Sequence, residues 1–172
     1  MAFVGDDRLE TVRSSTNSSN GTSSVSYHYT YGNIVIAEFD PNGGRKWTKK
    51  IVKNQKSSND SGFYFSYSVS MINNNLYFIF NDNVKNLGYN GKGKVERFTP
   101  KSYKEHMMTF AKLDGEGTLS RSSLSMNRNR NLMTITPVNT QTDDHEMVVY
   151  GQHKKRYRLA RLEFDPKMLA VE

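Results

Sequence analysis

One phrase, written three times, constrains this chain more than any other feature. "NIVIAEFDPNGG" (33–44), "MMTFAKLDGEG" (107–117) and "RYRLARLEF" (156–164) align on Ala37, Ala111 and Ala160, which stand 74 and 49 residues apart. Apolar residues alternate ahead of each alanine: Ile34 and Ile36, Met108 and Phe110, Tyr157 and Leu159. A charged and then an apolar residue follow it, as Glu38-Phe39, Lys112-Leu113 and Arg161-Leu162. Such period-two alternation is the pattern of a β-strand with different surroundings on its two faces.

Two of the copies run into Asp40-Pro41-Asn42-Gly43 and Asp114-Gly115-Glu116-Gly117. An aspartate can accept hydrogen bonds from backbone amides ahead of it, and glycine supplies a positive φ, so both runs are expected to close hairpins. A calcium loop would need further spaced oxygens and a distal glutamate, which neither copy has. Ahead of Ala111 stand two strand-like runs, "FYFSYSVSM" (63–71) and "NLYFIFND" (75–82), joined by Asn73-Asn74. Ahead of Ala160 stand "NLMTITPV" (131–138) and "EMVVYGQ" (146–152); "RKWTKKIV" (45–52) and "TLSRSSLS" (118–125) follow the first two phrases. Each unit therefore reads as four strands, of which the alanine phrase is the third.

Composition agrees with that pattern. Polarity comes mainly from Ser, Asn and Lys rather than from helix-forming Glu, Ala and Leu, a mixture that favours strands and turns over helices. A chain of 172 residues suffices for one domain. Its apolar fraction is only 35%, so nine Phe, ten Tyr and one Trp must supply much of the core.

Four antiparallel strands recurring every 40–50 residues or so is the period of a propeller blade. The expected fold is all-β, with antiparallel four-stranded blade-like sheets forming a partial β-propeller of about two to three blades. Residues 1–172 read as a single β-repeat domain with two loop insertions, 13–24 and 81–105. The three alanines are expected in equivalent strands with like burial. Because "AFVGD" matches a second strand and the chain stops after a third, the expectation is a fragment of a longer propeller-like protein.

The succession "NIVIAEFDPNGGRKW", "KNQ", "LYFIFND" and "MVVYGQHKKRYRLARLEF" resembles the carboxy-terminal part of uncharacterised bacterial secreted or cell-envelope proteins with β-propeller-like repeats. The resemblance spans roughly residues 33–164 and rests on strands and turns. It implies a propeller-like fold and a periplasmic, cell-surface or secreted location, and it carries no active-site residues across. A closed propeller needs at least about four blades, more than this chain holds.

Catalytic motifs are missing from the sequence. There is no cysteine, hence no disulfide and no thiolate metal site. His28, His106, His145 and His153 lack the short ligand spacings of a zinc site, and "GYNGKG" (88–93) lacks the ending of a phosphate loop. Asp6-Asp7 and Asp143-Asp144 read as solvated turns, and no cofactor is expected. No run approaches a membrane span in length.

Charge gives the remaining signal. The net +7 is clumped into Arg45, Lys46, Lys49, Lys50, Lys53 and Lys56 in one stretch and Lys154, Lys155, Arg156, Arg158 and Arg161 in another. These could meet a polyanion, with Trp47 as a stacking surface, or could simply guard strand edges against pairing. Tyr27, Tyr29 and Tyr31 fall on one strand face, as do Phe63, Phe65 and Tyr67; exposed aromatic rows hold sugar rings, and buried ones are core. The candidate ligand-binding set is Trp47, Lys49, Lys50, Lys53, Lys154, Lys155, Arg156, Tyr27 and Tyr29. The expected function is a non-catalytic binding or structural interaction module of the bacterial envelope, with an unknown protein or glycan partner and self-association through open sheet edges. The alternatives are part of a propeller-type hydrolase or lyase, and a weak polyanion or glycan binder; nucleic acid, resting on charge alone, is not the expected partner.

Overall fold

Three four-stranded sheets, each antiparallel throughout its strand pairing, make up the computed structural model, which describes residues 1–101, 105–124, 133–153 and 155–164. The first sheet contains β1 (Ala2–Thr16), β2 (Ser23–Phe39), β3 (Arg45–Ile51) and β4 (Gln55–Ser58). β2 is long enough to pair β1 along one edge and both β3 and β4 along the other. The second is a simple meander of β5 (Ser68–Ile72), β6 (Asn75–Asn83), β7 (His106–Leu113) and β8 (Leu119–Leu124). In the third, β9 (Met133–Thr134) and β10 (Thr140–Asp143) pair one edge of β11 (Glu146–His153), and β12 (Arg156–Glu163) pairs the other.

The alanine phrases lie on β2, β7 and β12, and their cross-strand partners correspond: Ala37 faces Phe3, Ala111 faces Phe78, and Ala160 faces Val149. The two Asp-Gly turns are alike bond for bond. Asp40 Oδ1 accepts from the amides of Asn42 and Gly44, each at 2.8 Å. Asp114 Oδ1 accepts from those of Glu116 and Thr118 at 3.0 and 2.7 Å. Gly43 and Gly117 both hold a φ of 84°. Asn73 and Asn74, with positive φ at both, close the β5–β6 hairpin as a two-residue turn.

Two apolar layers join the sheets face to face. Ile34, Ile36 and Ile51 of the first sheet pack on Phe78, Phe80, Ala111 and Leu113 of the second. The opposite face of the second sheet, with Tyr77, Ile79 and Met108, packs on Met147, Val149 and Phe164. The second sheet is thus covered on both faces, and the burial pattern of β6, interior from Tyr77 to Asn83, follows from that.

A polar seam crosses all three sheets near one end of these layers. Lys53 Nζ donates to Gln55 Oε1 at 2.9 Å, and Gln55 Nε2 donates to the Asn81 carbonyl at 2.8 Å. The Asn81 side chain then exchanges two bonds with the Thr134 backbone, at 2.7 and 3.0 Å. A second link runs from Arg121, which pairs with Asp82 at 3.4 Å and donates to the Val52 carbonyl at 2.6 Å.

Several expectations need correction. Residues 13–24 are not simply a looped-out insertion: β1 runs to Thr16, β2 starts at Ser23, and only the turn between them leaves the ladder. Ser and Thr hydroxyls pair across it, as Ser15 with Ser24 and Thr16 with Ser23. Within 81–105, Asn81–Asn83 belong to β6, and Phe98 forms a bridge beside Gln55. Residues 63–67 do not form a strand, because Ser61, Gly62 and Ser66 adopt positive φ. Phe63 is consequently exposed while Phe65 is buried, so no aromatic row forms there. The expected strand 131–138 is cut short after Thr134 by a 3-10 turn at Thr136–Val138, since Pro137 has no amide to give a ladder.

The alanines also differ in burial. Ala111 is fully buried, whereas Ala37 and Ala160 are only half-buried. Ala37 lies on the uncovered face of the first sheet, and Ala160 lies on β12, an edge strand among the described residues.

Candidate functional site

A bulge near the start of the first sheet decides where its aromatic residues go. Asp6 pairs with Ile34 but Arg8 pairs with Tyr31, so Gly32 and Asn33 together stand opposite Asp7. The extra residue reverses the alternation, and Tyr29 and Tyr31 turn to the same side as Ile34 and Ile36. Gly32 suits the site, since a Cβ there would stand 3.0 Å from that of Asp7 and would push the Asp7 side chain aside. Tyr31 joins Phe65, Phe98 and Met133 in a third apolar cluster, with Tyr29 packed against it.

Beyond the bulge, the β1–β2 hairpin, β4 and the segment 97–101 enclose a groove of about 460 Å³. β1 contributes Thr11 and Arg13, β2 contributes His28 and Tyr29, and β4 contributes Lys56, Ser57 and Ser58. Arg97, Thr99 and Lys101 form the far wall. Arg13, Lys56, Arg97 and Lys101 are all exposed, and among the described residues Asp60 is the one acidic side chain that lines the groove.

Asp60 is already engaged, accepting hydrogen bonds from the Ser57 hydroxyl and the Gly62 amide. The His28 ring sits between two hydroxyls, with Ser58 Oγ 2.8 Å from Nδ1 and Ser26 Oγ 3.0 Å from Nε2. Among the described residues no carboxylate is hydrogen-bonded to the ring, so the third member of a Ser-His-acid triad is not seen beside this pair.

The far wall is held from within. Asn83 Nδ2 donates to the Arg97 carbonyl at 3.1 Å. Asn86 donates to the Glu96 carbonyl and accepts from its amide, both at 2.8 Å, and also donates to Asp82 at 2.7 Å. Phe98 anchors the segment by exchanging backbone bonds with Asn54 and Lys56 at 2.8 and 3.0 Å. Burial raises the Asp82 carboxyl above its ordinary value, against the opposing effects of Asn86, the Asn83 amide and Arg121.

The sequence-derived candidates scatter. Trp47 and Lys49 turn toward the layer between the first two sheets and lie against Gly117. Lys50 is exposed on the opposite face, as strand alternation requires. Lys53 is buried and paired with Asp6, which removes it from any ligand surface. Lys155 and Arg156 are exposed at the β11–β12 connection, and Lys154 lies outside the described residues. The two basic stretches are on the first and third sheets, with the second between them, so they form no common patch.

Tyr27 is half exposed, Tyr29 lines the groove, and Tyr31 is core. Sequence alone missed Arg13, Arg97 and Lys101, which lie in or beside the expected loops and come together only through the fold.

Among the described residues no group of three or more His, Asp or Glu side chains is placed to hold a metal ion, and no helix is long and apolar enough to cross a membrane. Comparison with known proteins finds no matching family, no matching curated protein and no matching solved structure.

Proposed function

We propose that the chain is a non-catalytic binding module of the bacterial envelope, built of blade-like sheets packed in the manner of a propeller, and that its groove binds an acidic glycan. The observation that carries this proposal is the set Arg13, Lys56, Arg97 and Lys101 around one groove whose carboxylate, Asp60, is already hydrogen-bonded. Cations gathered along a concave surface raise the local concentration of a polyanion and hold it by releasing its counterions. The hydroxyls of Thr11, Ser57, Ser58 and Thr99 suit a ligand rich in hydroxyl groups. Nucleic acid is less well served, because single-stranded binding depends on open aromatic faces and Tyr29 is packed against the core.

Titration with heparin and with polygalacturonate at low and moderate salt tests the proposal. Four contacts should cost on the order of 100-fold in affinity between 50 and 200 mM salt. Arg97→Ala combined with Lys56→Ala should weaken binding at least about tenfold, given the size of charge-assisted contacts. No binding at low salt, binding unchanged in the double variant, or tighter binding of single-stranded DNA would overturn it.

A further inference from the structure

The two outer faces of the sheet stack differ from each other in a way that the two inner interfaces explain. Each inner interface is made of unlike faces. One bears the alanine and its cross-strand partner, as Ala111 with Phe78 and Ala160 with Val149. The other bears the residues that alternate ahead of the alanine on the neighbouring sheet, as Ile34 and Ile36 or Met108 and Phe110.

Both kinds of face are left over. On the outside of the first sheet lie Ala37 and its partner Phe3, with Val35 and Gly5 around a shallow hollow. Phe3 is 58% exposed and meets Phe39 edge to face at 5.6 Å. On the outside of the third sheet lie Tyr157 and Leu159, the residues that alternate ahead of Ala160, each 69% exposed. Tyr150 stacks on Tyr157 at 6.2 Å and extends that face. Contiguous apolar surface of this sort marks an interaction site.

We infer that the Tyr157–Leu159 face of one molecule docks on the Phe3–Ala37 face of a second copy of this chain, head to tail, repeating the interface that the molecule makes twice within itself. The occupant follows from the pattern: an alanine-bearing face is covered in both inner interfaces by the residues that alternate ahead of an alanine, and among the described residues nothing covers the Ala37 face. Association of unlike faces propagates, closing into a ring or continuing as a chain of molecules according to the rotation at each step. This assembly uses sheet faces and not strand edges, and it stands independently of ligand binding in the groove.

Sedimentation velocity over a wide range of protein concentration reads the result. The parent chain should form species larger than the monomer as concentration rises, whereas Phe3→Glu and Leu159→Glu should each sediment as monomers. Mixed in equal amounts, the two variants should form a dimer, because the first retains the Tyr157–Leu159 face and the second retains the Phe3–Ala37 face. Unchanged far-ultraviolet circular dichroism would establish that each variant is folded. A parent chain that stays monomeric throughout, variants that associate alone as the parent does, or a folded mixture that forms no dimer would each overturn the proposal.

Discussion

The Lys53 ammonium lies 3.3 Å from the Asp6 carboxylate, with the lysine side chain fully buried and that of Asp6 13% exposed. The pair links β1 to the β3–β4 connection across Ile34 of β2, and the lysine also passes 5.8 Å from the centre of the Tyr31 ring. Burial lowers Lys53 to about 8 from 10.5, with Asp6 opposing the shift. Below pH 8 the folded and unfolded chains both hold this proton. Between about pH 8 and 10.5 the unfolded chain keeps it while the folded chain releases it, so stability should rise with pH, by about 3 kcal/mol from this group.

Burial raises Tyr31, Tyr64, Tyr67 and Tyr77 above 10.0. That reverses the trend at higher pH, so the profile should crest between pH 8 and 10. Urea midpoints measured across this range should show the rise in the parent chain and not in Lys53→Met; an identical slope in both would show that Lys53 is not its source.

How much of this was written legibly in the sequence can be judged from particular residues. The strands around Ala37, Ala111 and Ala160, and the turns after the first two, were readable because alternation and Asp-Gly chemistry act over a few neighbouring residues. The bulge at Gly32-Asn33 was not, since it reverses the facing of Tyr29 and Tyr31 without altering the local pattern. Lys53 read as one more surface cation because its partner, Asp6, is 47 residues away. The groove was hidden for the same reason: Asn83 and Asn86 place Arg97 from inside a segment whose composition signals only a loop. Buried asparagines of this kind leave no periodic trace.

The matching turns allow a controlled comparison. Asp40→Ala and Asp114→Ala each remove two bonds from a carboxylate to backbone amides, and they should lower the unfolding midpoint by similar amounts. At Asp114 the Thr118 amide, with that of Glu116, holds the carboxyl below its ordinary value. That contribution is present at neutral pH and is lost as pH falls through the depressed value. Gly43→Ala, at positive φ in open space, should cost about 1 kcal/mol from backbone strain. Gly117→Ala should cost more, because its Cβ would stand 2.9 Å from Lys49 Cε and 3.4 Å from Trp47. Equal costs at the two glycines would show that Trp47 and Lys49 do not rest on the second turn.

Asn81 should be the most sensitive polar side chain in the seam. Its amide group donates to the Tyr64 and Thr134 carbonyls and accepts from the Thr134 amide, in full burial. Asn81→Leu leaves all three backbone groups without that partner, at a cost of about 2–4 kcal/mol for the set. Asn42→Ala, on an exposed turn, should fall within about 0.5 kcal/mol of the parent. Hydrogen exchange at the Thr134 amide supplies a second readout, since its protection should fall in Asn81→Leu. Retained protection would mean that the second and third sheets are held together by other contacts.

The three alanines offer the most direct test of how the sheets are stacked. Ala111 has no exposed surface and lies between Ile34 and Ile36 on one side and its own sheet on the other. Ala111→Leu adds volume to a filled layer and should cost about 1–3 kcal/mol. Ala37→Leu places the same side chain on the uncovered face beside Phe3, where the change should stay within about 0.5 kcal/mol. Ala160→Leu, on the edge strand β12, should fall between them. Chemical denaturation at concentrations low enough to keep the chain monomeric gives the three values. A cost for Ala37→Leu equal to that for Ala111→Leu would mean that the outer face of the first sheet is already covered within a single molecule, and the order of the sheets would have to be redrawn.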